Sequence, residues 1–565
     1  MAQKRIVIIG GSAAGPKTAA RARRLDQRAL ITLIERGPDL SMASCGYPYY
    51  VGGVFDSRNC LIETPTGVPR NPGFFLNAKN IIARVNCEVT TIDRAQRTVT
   101  CRNTLTGEVD VVPYDKLMIA TGSSPRLPPL EGIDLEGVTT LQSMKDADYL
   151  RAIRDERRVK KAIIIGGGLI GIETAEALQL AGIEITIVEL MDQLLPFLDW
   201  QLAKLVENHL KSKGVNVLLG NGVAAFTGEA GTLTGVKLAS GTELPCELAV
   251  VAVGVKPSSQ LAKAAGLEIG VTGGIKVNHF MGTTDPDIYA AGDCVEICNC
   301  ITGAQTYAPM GDLANLQGRV AADNIILGDS VQFSGTINTG ICKIFDFAAG
   351  ATGLTEAAAL KAGYDVETVV NASPDKPGFM GAKLLVSKMV VDRKTGKLLG
   401  YQCTGPGDVS KQVAQGAMAI RGQLTVAQMM DLDLPYAPPF SLAIDHFIAS
   451  AHIMDNKLKG RMSGISTRQV REMQCRGEKG TFFLDARGPD EFEAMRLGIG
   501  EVLIPLGALR KRLGDLPPDK NHPIVCYCKI SLRGYEAALI LMDAGYTNVR
   551  VMEGGIMAWP FPREK

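Results

Sequence analysis

The chain opens with an apolar pattern that recurs later with the same sequel. Arg5-Ile-Val-Ile-Ile-Gly-Gly-Ser-Ala-Ala-Gly15 reads as a buried strand running straight into glycines. A helix rich in Ala and Arg follows, then the strand Leu30-Ile-Thr-Leu-Ile-Glu35. The second copy is Ala162-Ile-Ile-Ile-Gly-Gly-Gly-Leu-Ile-Gly171, a helix through Leu180, and the strand Ile183–Glu189. Near-continuous apolar strands joined through a helix predict parallel βαβ units. Each helix N-terminus can hold a pyrophosphate, and each second strand ends in an acid able to accept hydrogen bonds from ribose hydroxyls. One such glycine pattern is weak evidence; two complete units, each with its acid at the right distance, are strong.

A third strand, Ile288-Tyr-Ala-Ala, ends in Gly292-Asp293 at a predicted helix start, suited to a ribityl or phosphate contact. Leu117–Gly122 and Val250–Gly254 read as strand ends where the chain crosses between domains. From about Ser334 strands and helices continue without phosphate loops. The polar stretch 456–467 predicts a linker, with a small α/β unit after it. The boundaries predicted are a first dinucleotide-binding domain over 1–125 and 271–330, a second over 126–270, a third domain over 331–455, and the tail over 468–565.

Composition changes this picture little. A chain of 565 residues holds roughly three or four domains. The net charge of +1 gives no reason to expect nucleic acid or an acidic membrane surface as partner. No apolar run approaches the ~20 residues of a membrane span, and Ile6–Ile9 is too short for a signal-peptide core. A cytoplasmic chain is expected, with most of its thirteen cysteines as free thiols. Cys294, Cys298 and Cys300 lack a fourth ligand at zinc spacing, so no metal is expected.

The most informative residue is Cys45, in Ser41-Met-Ala-Ser-Cys-Gly-Tyr-Pro-Tyr-Tyr50. With these units the chain resembles the FAD- and NAD(P)H-dependent disulfide oxidoreductases over roughly its first 455 residues. Most of that class carry two cysteines five residues apart here, whereas this chain has Tyr50 at the fifth position. A single thiol must hold its redox state as a thiolate, a sulfenic acid or a mixed disulfide. The lone cysteine resembles the branch of coenzyme A-disulfide reductases, persulfide reductases, and NADH oxidases and peroxidases. The tail resembles a rhodanese through Phe483-Leu-Asp-Ala-Arg487, Cys526-Tyr-Cys-Lys-Ile-Ser-Leu-Arg533 and Gly554-Gly-Ile-Met-Ala-Trp559. The fold so implied is α/β: two Rossmann-like domains, an α+β dimerisation domain and a C-terminal rhodanese-like domain, assembled as a homodimer.

The resemblance also implies a site. FAD would lie on Gly10, Gly11, Ser12, Ala13, Ala14 and Gly15, with Glu35 and Arg36 at the adenosine ribose and Asp293 near the ribityl chain. Ser44, Thr121, Gly122, Gly254, Gly292 and Ala314 complete the cofactor-binding set. Ser12 replaces a glycine usual in the motif. NADH would take Gly166, Gly168, Gly171 and Glu189, with Leu169 as a gate; the charge of Glu189 favours NADH over NADPH. Cys45 would sit over the flavin as a thiolate, its thiol acidity raised by the flavin ring and a helix N-terminal field. Tyr436 would assist the leaving thiol. Lys17, Arg21, Arg24 and Ser41 would meet the substrate, coenzyme A among the candidates. In the tail, Cys528 is the favoured nucleophile over Cys526, with Arg533 five residues on; Lys529 and Arg533 would draw in anionic sulfur donors, and Ser531 replaces a usual glycine.

Four departures from the branch stand out. Ala13 occupies the place of a peroxidase histidine, Ser44 that of an asparagine, Ile444 that of a lysine contacting coenzyme A, and Phe379 lies near a missing tyrosine. The activity implied is NADH-dependent reduction of a small disulfide, persulfide or polysulfide. An NADH oxidase or peroxidase working through a cysteine sulfenic acid stays open, as does a non-catalytic sulfur carrier.

Overall fold

A computed structural model describes residues 3–476 and 480–564, which divide into two compact units. The first comprises 1–190 and 220–336, the second 191–219 and 337–565.

The first unit holds both nucleotide-binding repeats. Its leading sheet is parallel, in the order Ile288–Ala290, Lys116–Ile119, Arg5–Ile9, Leu30–Ile34, Ile82–Arg84. The central strand is buried from Ile6 onward, as its unbroken apolar run requires. The helix Ala14–Leu25 lies against the helix Gly311–Leu327, and their backbones nearly touch: a Cβ on Gly318 would stand 2.6 Å from the Ala14 carbonyl oxygen. The second repeat forms a parallel sheet with Glu184–Val188, Lys161–Ile165, Leu248–Val251 and Val138–Thr139 in that order. Ser123–Pro125 and Val255–Pro257 pair antiparallel where the two predicted crossings follow their strand ends.

In the second unit an antiparallel sheet runs Gly340–Ile344, Phe347–Gly353, Leu398–Gly405, Leu384–Asp392, Val366–Pro374. Helices Val409–Arg421 and His446–Leu458 cover it. The tail is a parallel sheet in the order Gly464–Ile465, Val549–Met552, Ile524–Tyr527, Phe482–Asp485, Val502–Leu503.

Two segments stand out. The predicted linker is ordered. Helix His446–Leu458 runs into it, Gly464 and Ile465 pair with Val551 and Met552, and Ser466 caps the next helix with Gln469 in a capping box. Backbone pairing and capping hold the segment together with the burial of Met462 and Ile465. Residues 191–219, inside the span assigned to the second nucleotide domain, belong to the second unit. Trp200, at the start of their helix, packs on Phe561, and Asn208 donates to the Pro560 carbonyl at 2.6 Å.

The first helix also has an arginine with a structural role. Arg23 is buried and its guanidinium donates to the carbonyls of Lys79, Asp26, Gln27, Ala29 and Asn80. Burial lowers its affinity for the proton, a cost offset by these bonds. Replacing Arg23 by Met leaves the carbonyls unpaired and should destabilise the chain by about 3 kcal/mol. Urea denaturation checks this; an unchanged midpoint would remove the role.

Candidate active site

Both glycine loops are shaped by contacts that no side chain could survive. Gly10 has φ +107°, and a Cβ there would lie 2.0 Å from the Ala120 oxygen; one on Gly15 would lie 1.9 Å from the Gly10 oxygen. The second loop repeats this, with Gly166 (φ +110°) against Ala252 at 2.4 Å and Gly171 against Gly166 at 2.0 Å. The acids repeat too. Glu35 accepts from the Gly11 N–H at 2.6 Å and from Gly37 at 2.8 Å, while Glu189 accepts from the Gly167 N–H at 2.6 Å. Gly168 begins the helix Leu169–Gln179, and a Cβ on it would meet nothing within 4 Å, which leaves room for a phosphate beside the helix N-terminus.

The third predicted turn joins the first loop. A Cβ on Gly292 (φ +86°) would reach Ala14 at 3.2 Å and Ala314 at 3.7 Å, and the Gly292 N–H donates to Gln317 at 2.7 Å. Asp293 is held by Ser123, whose hydroxyl donates at 3.0 Å; burial pushes its carboxyl up. Beside it lies Tyr307, whose buried hydroxyl, close to Ser123, makes no hydrogen bond of normal geometry among the described residues. These features fit a dinucleotide: glycines where a pyrophosphate approaches, acids at the strand ends, and a polar group awaiting a partner next to Asp293. Other members of the predicted set have local tasks. Thr121 donates to the Ser258 carbonyl at 2.6 Å, and the Ser12 hydroxyl reaches Met42 at 3.4 Å. Arg36 and Ser44 are exposed; Gly122 and Gly254 take positive φ in turns.

Cys45 lies in a short 3₁₀ turn, Ser44–Gly46, leading into the helix Tyr47–Val51. It faces the N-terminus of Gly311–Leu327: a Cβ on Gly311 would stand 3.8 Å from its sulfur. Tyr50, in the place of a second cysteine, has its hydroxyl on Asp148 at 3.2 Å and its ring under Arg151. One turn beyond Cys45, the Tyr49 hydroxyl donates to Glu173 on the second nucleotide helix at 3.0 Å.

The chain's own groups do not acidify Cys45. Its thiol is held above the ordinary value, first by burial of the sulfur, then by Glu173, Asp293 and Asp312. The residue as a whole is exposed, but the atoms crowded round the sulfur and three carboxylates outweigh the helix N-terminus within the chain itself. Glu173 and Asp312 carried no sequence signal, since only the fold brings them to the thiol.

Among the predicted substrate contacts, Arg21 is already engaged by Asp323 at 2.6 Å in a part-buried pair. Lys17 and Arg24 share its helix face. Ser41 takes φ +53°, and its N–H donates to the Gly11 carbonyl at 2.7 Å. Tyr436, Phe440, Ile444 and Phe379 are all exposed in the second unit.

In the tail, Cys528 follows the strand Ile524–Tyr527 and is 1% exposed. Cys526 is buried in the strand and its thiol is pushed far up. Ser531 explains the glycine usual at its place: it adopts φ +83°, and its hydroxyl donates to the Met552 carbonyl at 2.9 Å. Arg533 is gripped by Glu491 through bonds of 2.6 and 2.8 Å, which hold the Glu491 carboxyl down at about 2. Arg533 also reaches Cys528 while held by Glu491, and Lys529 is the exposed cation of the loop.

Comparison with known proteins places these observations. Residues 4–310 match the pyridine nucleotide-disulphide oxidoreductase family, residues 339–447 its dimerisation domain, and 466–560 the rhodanese-like domain. The chain belongs to that family. It is similar to the solved structure of an NAD-dependent persulfide reductase from A. fulgidus, 41% identical with TM-score 0.93, covering 98% of this chain and 100% of that one. Reduced Bacillus anthracis CoADR-RHD is 35% identical with TM-score 0.91, covering 99% and 98%. The NAD(P)H coenzyme A polysulfide/persulfide reductase of Pyrococcus horikoshii is 35% identical over 80% of this chain and 98% of its own length. The chain is thus a flavin- and pyridine-nucleotide-dependent oxidoreductase with a rhodanese domain. No helix among the described residues is long and apolar enough to cross a membrane.

Removing a like charge should ease the Cys45 thiol. In Asp312→Asn the pH at which iodoacetamide alkylates Cys45 should move down, because the thiolate loses a repelling neighbour. Mapping the adduct by mass spectrometry across pH checks this, and an unmoved midpoint would show that the carboxylate has no hold on the sulfur.

Proposed function

We propose that the chain is an NADH-dependent, FAD-containing reductase of disulfides, persulfides or polysulfides, of the coenzyme A disulfide or coenzyme A persulfide class. The observation that carries the reading is the solitary Cys45, set against the glycine-loop site with Tyr50 tied to Asp148 where a second thiol would stand. A bound flavin would supply the redox chemistry, relaying two electrons from NADH to sulfur. Glu189 closes the second loop, so a 2′-phosphate meets a negative charge and NADH is preferred.

The protein's part is sulfur chemistry. The Cys45 thiolate attacks one sulfur of the substrate, forms a Cys45–sulfur bond, and releases the other half as a thiolate or hydrosulfide. Two electrons from a bound reduced flavin would then cleave that bond, restoring the Cys45 thiolate and releasing the retained fragment as a second thiolate or hydrosulfide. Tyr436 in a homodimer supplies a proton to the departing thiolate, and its exposure with Phe440, Ile444 and Phe379 suits an interface between copies. Lys17 and Arg24 offer charge for the phosphates of coenzyme A. Cys528 carries sulfane sulfur as a persulfide, and Arg533 with Glu491 fixes the loop around it.

Anaerobic stopped flow tests this. The NADH-reduced protein should reoxidise rapidly with coenzyme A persulfide or disulfide, releasing hydrosulfide or thiol. Cys45→Ser should keep its flavin and lose this step by at least about a hundredfold. Reoxidation by peroxide or oxygen alone would replace the reading with that of an NADH oxidase or peroxidase.

A further inference from the structure

The rhodanese loop is built onto the dimerisation sheet. Glu553 follows the strand Val549–Met552 and is buried. One of its oxygens accepts from the Val370 N–H at 2.8 Å, in the strand Val366–Pro374. The other meets Lys457 Nζ at 2.5 Å. Lys457, in the last turn of helix His446–Leu458, also pairs with Glu367 at 2.9 Å and donates to the Thr368 carbonyl. Arg393 pairs with Glu367 at 2.7 Å and with Asp365 at 3.7 Å. A Cβ on Gly464 would lie 1.9 Å from the Glu553 carboxylate, so the chain entering the rhodanese domain closes over the pair.

From Glu553 the contact passes to the reactive loop. Its neighbour Met552 accepts from the Ser531 hydroxyl at 2.9 Å. The Ile556 N–H donates to the Cys528 carbonyl at 3.0 Å, and the Met557 N–H to Lys529 at 3.1 Å. A Cβ on Gly555 would lie 2.4 Å from the Cys528 oxygen. Ile530, from the loop itself, packs with Met557 and Leu384 against a buried cluster of Val370, Ala372, Val386 and Ala558.

We propose that Lys457 and Glu553 are positioning residues for Cys528, and that the dimerisation sheet forms the back wall of the sulfur-carrier loop. The rhodanese domain is then a fixed part of its unit and not a tethered module. A docked loop keeps Cys528 shielded and its backbone in the shape that receives a sulfane sulfur; an undocked loop exposes the thiol and loses that shape. The inference rests on Cys528 being the sulfur carrier.

The full-length holoenzyme tests it with thiosulfate as donor and cyanide as acceptor. In that reaction the Cys528 thiolate takes the outer sulfur and releases sulfite, and cyanide then removes the sulfur as thiocyanate. In Lys457→Met and in Ile530→Ala, turnover should fall about tenfold with KM little changed, while iodoacetamide alkylation of Cys528 rises about tenfold with a shifted pH profile. Lys457→Arg should recover both. NADH-driven reduction of coenzyme A disulfide at Cys45 should stay at the wild-type rate. Wild-type sulfur transfer and alkylation in Lys457→Met and Ile530→Ala would overturn the proposal. Should Lys457→Met fail to fold, Ile530→Ala decides alone. Should the wild type transfer no sulfur, the carrier reading falls, and the alkylation rates still decide whether the sheet shields Cys528.

Discussion

The first unit depends on one steric constraint: the close approach of backbone to backbone at the strand-to-helix turns. At Gly10 and Gly166 the chain passes so near Ala120 and Ala252 that only hydrogen fits, and at Gly15 and Gly171 each helix start presses on its own loop. Such turns aim helix N–H groups at one point and bring the next strand's acid to the loop N–H. Once Gly11 and Gly167 are bonded to Glu35 and Glu189, the ends of the strands are set, and the site grows out from there. Gly292 then admits Ala14 and Ala314 to the same spot, which carries Asp293 and the helix Gly311–Leu327 towards Cys45.

How much of this could be read from residues alone follows from range. Glycine loops, their acids and the crossings after Leu117–Gly122 and Val250–Gly254 are local patterns, and the strands stand where the apolar runs lie. Ser531 was legible as a departure, but its φ of +83° needed the fold. Groups that act through space left no trace. Glu173 and Asp312 reach Cys45 from other elements, and Asp323 takes Arg21 from a helix some three hundred residues on. The ordered linker escaped for a related reason: Gly464 and Ile465 are held by a strand that comes over eighty residues later.

The two sulfur centres differ in electrostatic character, and the difference suits their parts. Around Cys45 the protein places carboxylates, which favour the proton on sulfur. Around Cys528 it places Arg533, locked by Glu491, and Lys529. A sulfur carrier must hold an anionic persulfide for long enough to meet its acceptor, and nearby cations stabilise that anion. A redox thiol cycles between bonded and free sulfur, so a surrounding that resists a standing thiolate pushes the freed sulfur to react or to take a proton. On the proposed reading, substrate attack at Cys45 needs a stabilisation of the thiolate that the chain's own carboxylates oppose, and a bound flavin would be the group to supply it. On this argument reactivity at Cys45 is tied to the loaded site, whereas Cys528 is prepared by its own loop and by the sheet beneath it.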